Sequence, residues 1–335
     1  MPRPGPLNLI TDVPGLRVGN ATDERVRTGV TALLVDGFWA AGVDVRGGGP
    51  GTRETEALAA ENLVGHAHAI VLSGGSVFGL AAADGVTVVL SSLDHGLRLS
   101  AGSPAIPIVP AAVLHDLSNG GDKSWGLEPP YRRLGMDAAA AASERFELGS
   151  IGAGRGARAG LLPGGLGSSS IALVDGLIVG ALVAANPVGS VQMPDQRSYW
   201  AWPFELDQEF GGYRPEPASI LPCSEPSPDD SRLAAIGRLQ AGANTTLAIV
   251  ACNADLSSAE CKRVAMMAHD GMARAVRPAH TPFDGDTVFA LAGKQLSMGT
   301  GLARQAKVGQ IGAAAADCLA RAIARAVYIA SIQAA

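Results

Sequence analysis

Short apolar runs bounded by glycine recur along the chain, and each reads as a buried strand: Val30 to Val35, Gly42 to Val45, Ala69 to Leu72, Ile106 to Val109, Ile171 to Val174, Leu177 to Ala184, Leu247 to Cys252 and Val288 to Leu291. Between some of them lie Ala-rich helical stretches, at Val77 to Leu90 and Met136 to Arg145. Ser257-Ser258-Ala259-Glu260 is a capping box, in which the serine hydroxyl accepts from the amide three residues on and the glutamate reaches back. The helix it opens is predicted to run to Arg277 and stop at Pro278. A last helix is predicted over Gly312 to Ala334, with Asp317, Arg321 and Arg325 on one stripe and apolar faces that must be buried. The order is mixed throughout, so the fold class is α/β.

The least regular region runs from Asn186 to about Pro228. It carries Tyr199-Trp200-Ala201-Trp202-Pro203-Phe204, then Phe210-Gly211-Gly212-Tyr213, then a Pro/Ser/Asp-rich stretch ending at Asp229-Asp230. Trp200 and Trp202 are candidates to line a substrate pocket, and packing of the loop is the competing role. No internal repeat is present. At 335 residues the chain is long enough for one large domain or two. Hydrophobic residues make up 47% and aromatics only 4%, with 43 glycines, so the core is expected to be layers of small side chains packed closely.

A net charge of -5 with only four lysines argues against nucleic acid as a partner, because phosphate binding needs clustered Lys and Arg. Cys223, Cys252, Cys261 and Cys318 are isolated, without metal-finger spacing, and read as reduced core residues. The N-terminus lacks a signal-peptide core, and no run approaches the roughly 18 apolar residues of a membrane span. A soluble cytoplasmic protein without cofactor, metal or membrane partner is expected.

The stretch that carries chemistry is Gly242-Ala243-Asn244-Thr245-Thr246, directly before the apolar run at Leu247, followed downstream by Phe283-Asp284-Gly285-Asp286-Thr287. An internal threonine hydroxyl is a poor nucleophile at neutral pH. If the chain cuts its own Asn244–Thr245 bond, Thr245 gains a free α-amine with a pKa of roughly 8, well matched to act as its base. In that cut the hydroxyl attacks the Asn244 carbonyl, the acyl group shifts from nitrogen to oxygen, and water hydrolyses the ester. An exposed loop ahead of Thr245 is expected, to let the new ends separate.

Other motifs carry less. Gly152-Ala153-Gly154-Arg155-Gly156 lacks the register and the acidic residue of a dinucleotide fingerprint, and Gly120-Gly121-Asp122-Lys123-Ser124 has Asp122 where a phosphate loop needs glycine. Gly74-Gly75-Ser76-Val77-Phe78-Gly79 lacks nucleophile-elbow spacing; Ser76 reads as a helix N-cap after a tight turn whose N–H groups are candidates to face the site. His66 and His68 have no third metal ligand and are expected to be solvent-exposed. His269 and Asp270 do not face each other on a helix, and His280 is placed to pack beneath the acidic pair.

Taken in order, Asp44-Val45-Arg46-Gly47-Gly48-Gly49-Pro50-Gly51-Thr52-Arg53-Glu54-Thr55, Leu72 through Leu80, Gly165-Leu166-Gly167-Ser168-Ser169-Ser170, Asn244-Thr245-Thr246 and His280 through Phe289 closely resemble the DmpA-like, P1-type (S58) peptidases. These include D-aminopeptidase/esterases, β-peptidyl aminopeptidases and the nylon-oligomer hydrolase NylC. The resemblance implies a four-layer αββα sandwich, shared with the ornithine acetyltransferases, as a single domain spanning 1–335. It implies self-cleavage into an α chain, 1–244, and a β chain, 245–335, assembled as a homotetramer of αβ units. It further implies an amide hydrolase acting on small peptides or β-, D- or ω-amino amides, with Thr245 as nucleophile. Asn186 corresponds to an oxyanion-holding asparagine, and Asp284 and Asp286 to an acidic pair beside the nucleophile. Acyl transfer to an amine and an unprocessed, non-catalytic chain are the alternatives. NylC-like relatives carry a catalytic lysine where Leu161 stands, and no lysine lies between Lys123 and Lys262. Arg155 or Arg158 in a positional role, or the α-amine acting alone, is the expected replacement, the α-amine being preferred because arginine is no base at neutral pH.

Overall fold

The computed structural model describes residues 3–216, 231–233 and 244–335. Its frame is set by one long strand. β1 is Leu16–Asp23 and β2 is Thr28–Val45, which at 18 residues merges two of the expected apolar runs. The first half of β2 pairs with β1 and with β4 (His66–Ser73), while Ala40 to Val45 pair with β11 (Thr287–Leu296). A register shift between Leu34 and Trp39 separates the halves. The ladder runs β3 (Thr52–Arg53), β5 (Ala111–Val113), β4, β2, β11, β10 (Thr245–Ala254), β9 (Ile178–Asn186), β8 (Gly165–Ala172), with β1 also on β2. A separate hairpin joins β6 (Arg158–Ala159) and β7 (Leu162–Pro163).

The period-two alternation of side chains resolves this ladder into two packed leaves. Leu33, Val35, Ile70 and Leu72 from the β2–β4 half share one core with Leu182, Ala184, Leu247, Ile249, Phe289 and Leu291 from the β9–β11 half. Their neighbours point the other way. Val30, Ala32, Leu34, Ala69 and Val71 pack on α1 (Ala82–Ser92) and α2 (Tyr131–Ala140). Val183, Ala248, Val250, Val288 and Ala290 pack on α3 (Ser258–Ala275) and α4 (Gly301–Ala334). Helices, leaf, leaf, helices: this is the αββα sandwich that the sequence resemblance implied.

Small residues are what let the layers close. A Cβ on Gly167 of β8 would lie 2.0 Å from the Ala322 carbonyl oxygen of α4, so only glycine fits there. That packing also shows that the Gly165–Ser170 block, read in the sequence as a motif rather than a strand, is the body of β8, and the run expected from Ile171 to Val174 overlaps only its last residues.

Other boundaries differ for local reasons. The strand expected at Ile106–Val109 is displaced to β5, because Pro107 and Pro110 have no N–H to donate; the segment still gives the Ile108 and Pro110 carbonyls to the His68 and Val71 amides. The helix expected at Met136–Arg145 is α2, which starts just after Pro130 and ends where Ser143 leaves to bridge Val18 of β1. Val77–Leu90 divides into a 3-10 turn, Ser76–Ala81, and α1. Ser257 caps α3 as read, with Glu260 reaching back. α4 begins earlier than expected, because its first turn carries an exposed Leu302 and no apolar stripe.

Candidate active site

Neighbouring strands β9, β10 and β11 bring the sequence candidates together. Asn186 ends β9 opposite Thr245, the first residue of β10, and Asn244 bridges in parallel to Asp284, just ahead of β11. All five residues, Asn186, Asn244, Thr245, Asp284 and Asp286, are buried. The exposed loop expected ahead of Thr245 falls mostly outside the described residues, at 217–230 and 234–243, as does Cys223.

Thr245 Oγ1 donates to the Asn244 carbonyl oxygen at 2.5 Å, which places the hydroxyl on the peptide bond that would be cut. The same oxygen accepts the Gly285 N–H at 2.9 Å. A donor aimed at this oxygen stabilises the negative charge that develops when the carbonyl is attacked. Gly285 has no room for a side chain: a Cβ would stand 2.6 Å from Thr245 Oγ1 and 2.8 Å from the Gly49 carbonyl oxygen.

The two carboxylates are held by flanking segments. Asp284 accepts from the Val188 amide at 3.1 Å and from the Thr281 amide and hydroxyl at 2.8 and 2.7 Å. Asp286 accepts from the Thr246 amide at 2.7 Å, the His280 amide at 3.2 Å and His280 Nδ1 at 2.8 Å. Burial, and then the negative charge of Asp286, holds the Asp284 carboxyl above the usual carboxylate range. His280 therefore sits against the acidic pair, and its ring meets that of His269 edge-on, centroids 4.9 Å apart. His269 is buried in α3 with Nε2 3.0 Å from the Asp44 carbonyl oxygen, and burial pushes its imidazole down to about 4.

Among the described residues, the cation nearest Asn244 is one that no sequence pattern marked. Arg232 donates to Asn244 Oδ1, to the Gly160 carbonyl at 3.2 Å, to the Arg158 carbonyl at 2.7 Å and to Asn186 Oδ1 at 3.4 Å. The guanidinium groups of Arg155 and Arg158 are engaged elsewhere, with Glu24 at 2.6 Å and the Leu161 carbonyl at 3.1 Å. Leu161 itself is exposed on the β6–β7 turn. The Arg158 amide, however, donates to Asn186 Oδ1 at 2.9 Å, and Asn186 Nδ2 to the His115 carbonyl at 3.4 Å. Arg158 also lines an open cavity of about 630 Å³ with Arg27, Asn119, Arg155 and Gln333, which thus abuts the site.

Several expectations are corrected. Ser76 is no N-cap: it has φ +51°, the cap position is Gly75, and no side chain bonds there. The turn's amides do not face the site, since Gly74, Gly75 and Ser76 donate to the Gly29 carbonyl, Asp116 Oδ1 and the Leu114 carbonyl. His68 is buried rather than exposed, accepting from the Ile108 amide at 3.1 Å. Arg321, placed on a polar stripe of α4, is fully buried and paired with Glu209. Trp200 and Trp202 stand apart in their contacts, under the guanidinium groups of Arg277 and Arg214. Cys252, Cys261 and Cys318 are core residues, as read.

The family model of peptidase family S58 matches residues 8–334. An uncharacterised aminopeptidase of Mycobacterium tuberculosis is 41% identical over 332 residues, covering 95% of this chain and 92% of that one. A 6-aminohexanoate-oligomer endohydrolase of a Kocuria species is 30% identical over 303 residues, covering 86% and 76%. Among solved structures, a Burkholderia β-aminopeptidase superposes with a TM-score of 0.68 at 25% identity, over 97% of this chain and 88% of that one. The L-aminopeptidase D-Ala-esterase/amidase of Ochrobactrum anthropi, described as a new variant among the Ntn hydrolase fold, gives 0.64 at 18% identity over 97% and 86%, a likeness of fold.

Proposed function

The chain belongs to peptidase family S58 and is a peptide or amide hydrolase; from that premise we propose that it cuts itself between Asn244 and Thr245 and then works through the N-terminal threonine so formed. The observation that carries this reading is the Thr245 hydroxyl seated on the Asn244 carbonyl while the Gly285 amide holds the same oxygen. Attack forms a tetrahedral centre whose oxyanion Gly285 receives. Collapse breaks the Asn244–Thr245 C–N bond, the hydroxyl proton passes to the departing nitrogen, and the resulting ester is hydrolysed by water. The freed α-amine then takes the hydroxyl proton in each turnover.

Asp286, already bonded to the amide of Thr246, and Asp284 beside it stabilise the ammonium that forms one residue away. Asn186, held by the Arg158 amide opposite Thr245, supplies a second donor to the oxyanion. The substrates are small peptides or β-, D- or ω-amino amides, in keeping with the β-aminopeptidase and the 6-aminohexanoate-oligomer endohydrolase it resembles. Cytoplasmic residence and a homotetramer of cleaved units belong to the same reading; among the described residues no helix is long and apolar enough to cross a membrane.

N-terminal sequencing and intact mass of the purified protein test it. Two separate fragments, one ending at Asn244 and one beginning at Thr245, are expected, with a single uncut and inactive chain for Thr245→Ala. An uncut wild-type chain that still hydrolyses amides overturns it.

A further inference from the structure

In the uncut chain the side chain of Asn244 is gripped by Arg232. Its Oδ1 accepts from Arg232 Nη1, and its buried Nδ2 has no hydrogen-bond partner among the described residues. The guanidinium is fixed from behind by the Gly160 and Arg158 carbonyls at 3.2 and 2.7 Å, and it leans on Asn186 Oδ1 at 3.4 Å. It therefore keeps its place when Asn244 leaves.

The chemistry of scission says what replaces Asn244. The first ester on Thr245 Oγ1 carries the Asn244 acyl group, and every later acyl-enzyme is an ester on the same oxygen. A substrate's acyl residue thus occupies the ground that Asn244 held, with its side chain directed at Arg232. A guanidinium offers donors and no acceptor, and it cannot lose its charge at neutral pH. An acyl side chain bearing a carbonyl restores the lost bond; an apolar one leaves the guanidinium short of a partner; an ammonium is repelled.

We propose that Arg232 is the specificity-determining residue of the acyl pocket and selects substrates whose N-terminal residue carries a side-chain carbonyl oxygen, in a carboxamide or a carboxylate, over apolar and basic ones. The proposal rests on Thr245 being the nucleophile.

The test compares asparaginyl, leucyl and lysyl p-nitroanilides on the purified enzyme, after N-terminal sequencing of its smaller fragment. The wild type is expected to favour the asparaginyl substrate in kcat/KM by at least about tenfold, the factor equivalent to about 1.4 kcal/mol, with the lysyl substrate last. Arg232→Gln is expected to erase the asparaginyl advantage and the lysyl penalty together, and Arg232→Lys to keep the penalty. Leucyl or lysyl preference in the wild type overturns the proposal, as does an unchanged order in cleaved Arg232→Gln. Should Arg232→Gln stay uncut, the wild-type order alone decides. A fragment that does not begin at Thr245 refutes the nucleophile instead.

Discussion

At the residue scale the site is defined by a few atoms around one carbonyl. Gly285 gives its amide to the Asn244 oxygen while leaving no space for a methyl group beside Thr245 Oγ1. Gly285→Ala is therefore expected to fold, to remain a single chain on a denaturing gel for many hours, and to lose roughly a hundredfold or more in rate, the scale of one misplaced oxyanion donor. A fully cleaved Gly285→Ala protein would show that the close fit of this residue against Thr245 Oγ1 is not needed for the cut. Of the residues the fold brings together here, Asn244, Thr245, Asp284 and Asp286 were singled out by residue type and spacing, whereas Asn186 was placed only by the family resemblance. Gly285 was visible only as a spacer between two aspartates. Arg232 and Thr281 left no signal, since what makes each matter is a contact across the fold: Arg232 with Asn244, and Thr281 with a carboxylate whose burial no local pattern announces.

Elements show where hidden polar groups govern stability. Arg321 of α4 is fully buried and meets Glu209 through Nε at 2.5 Å and Nη2 at 2.9 Å, with the Ser170 carbonyl and Asn8 Oδ1 at 2.9 Å each. Removing one partner strands the other charge, so Glu209→Ala is expected to lose about 3–5 kcal/mol in urea unfolding. A loss below about 1 kcal/mol would mean that water replaces the carboxylate. The stripe of Asp317, Arg321 and Arg325 was readable, yet its burial was not, because the covering residues, Asn8 and Glu209, come from distant loops. In β4 the buried His68, next to His66 and His95, has its imidazole pushed down from 6.5 to about 4, by burial first and then by these neighbouring rings. The fold holds it neutral, so below 6.5 the unfolded chain binds the extra proton and stability falls until about pH 4. Each unit of that interval is worth about 1.4 kcal/mol, and His68→Gln is expected to flatten the acid limb of stability against pH. An identical slope in wild type and variant would assign the acid sensitivity to other groups, His269 foremost, whose depression is similar.

On the scale of the whole molecule, the position of the proposed cut determines how the two pieces stay together. β10 lies inside the sheet, paired along its length with β9 on one side and β11 on the other, and β11 pairs in turn with β2. α4, from the same C-terminal piece, packs on β8 and β9, with Ile323 and Val327 in one core with Val183 and Ala185. The segment 245–335 thus shares both an inner and an outer core with 1–244, and neither the β9–β11 leaf nor its helix layer is complete without it. The layer order came from the family resemblance and not from the residue pattern, because β4, β9 and β10 are buried on both faces and their sequences carry no in/out alternation. The single long β2 that links the leaves was not legible either, since its exposed Asp36, Gly37 and Phe38 look like a loop in sequence. Cutting one peptide bond at the start of β10 removes none of this ladder or core. The cleaved protein is therefore expected to elute as one species in native size-exclusion chromatography, with both fragments in equal amount, and to separate only in denaturant. Its unfolding midpoint should then depend on protein concentration, because two chains must find each other to refold. Free 245–335 in native buffer, or a midpoint independent of dilution in a cleaved sample, would contradict an interface built from shared strands.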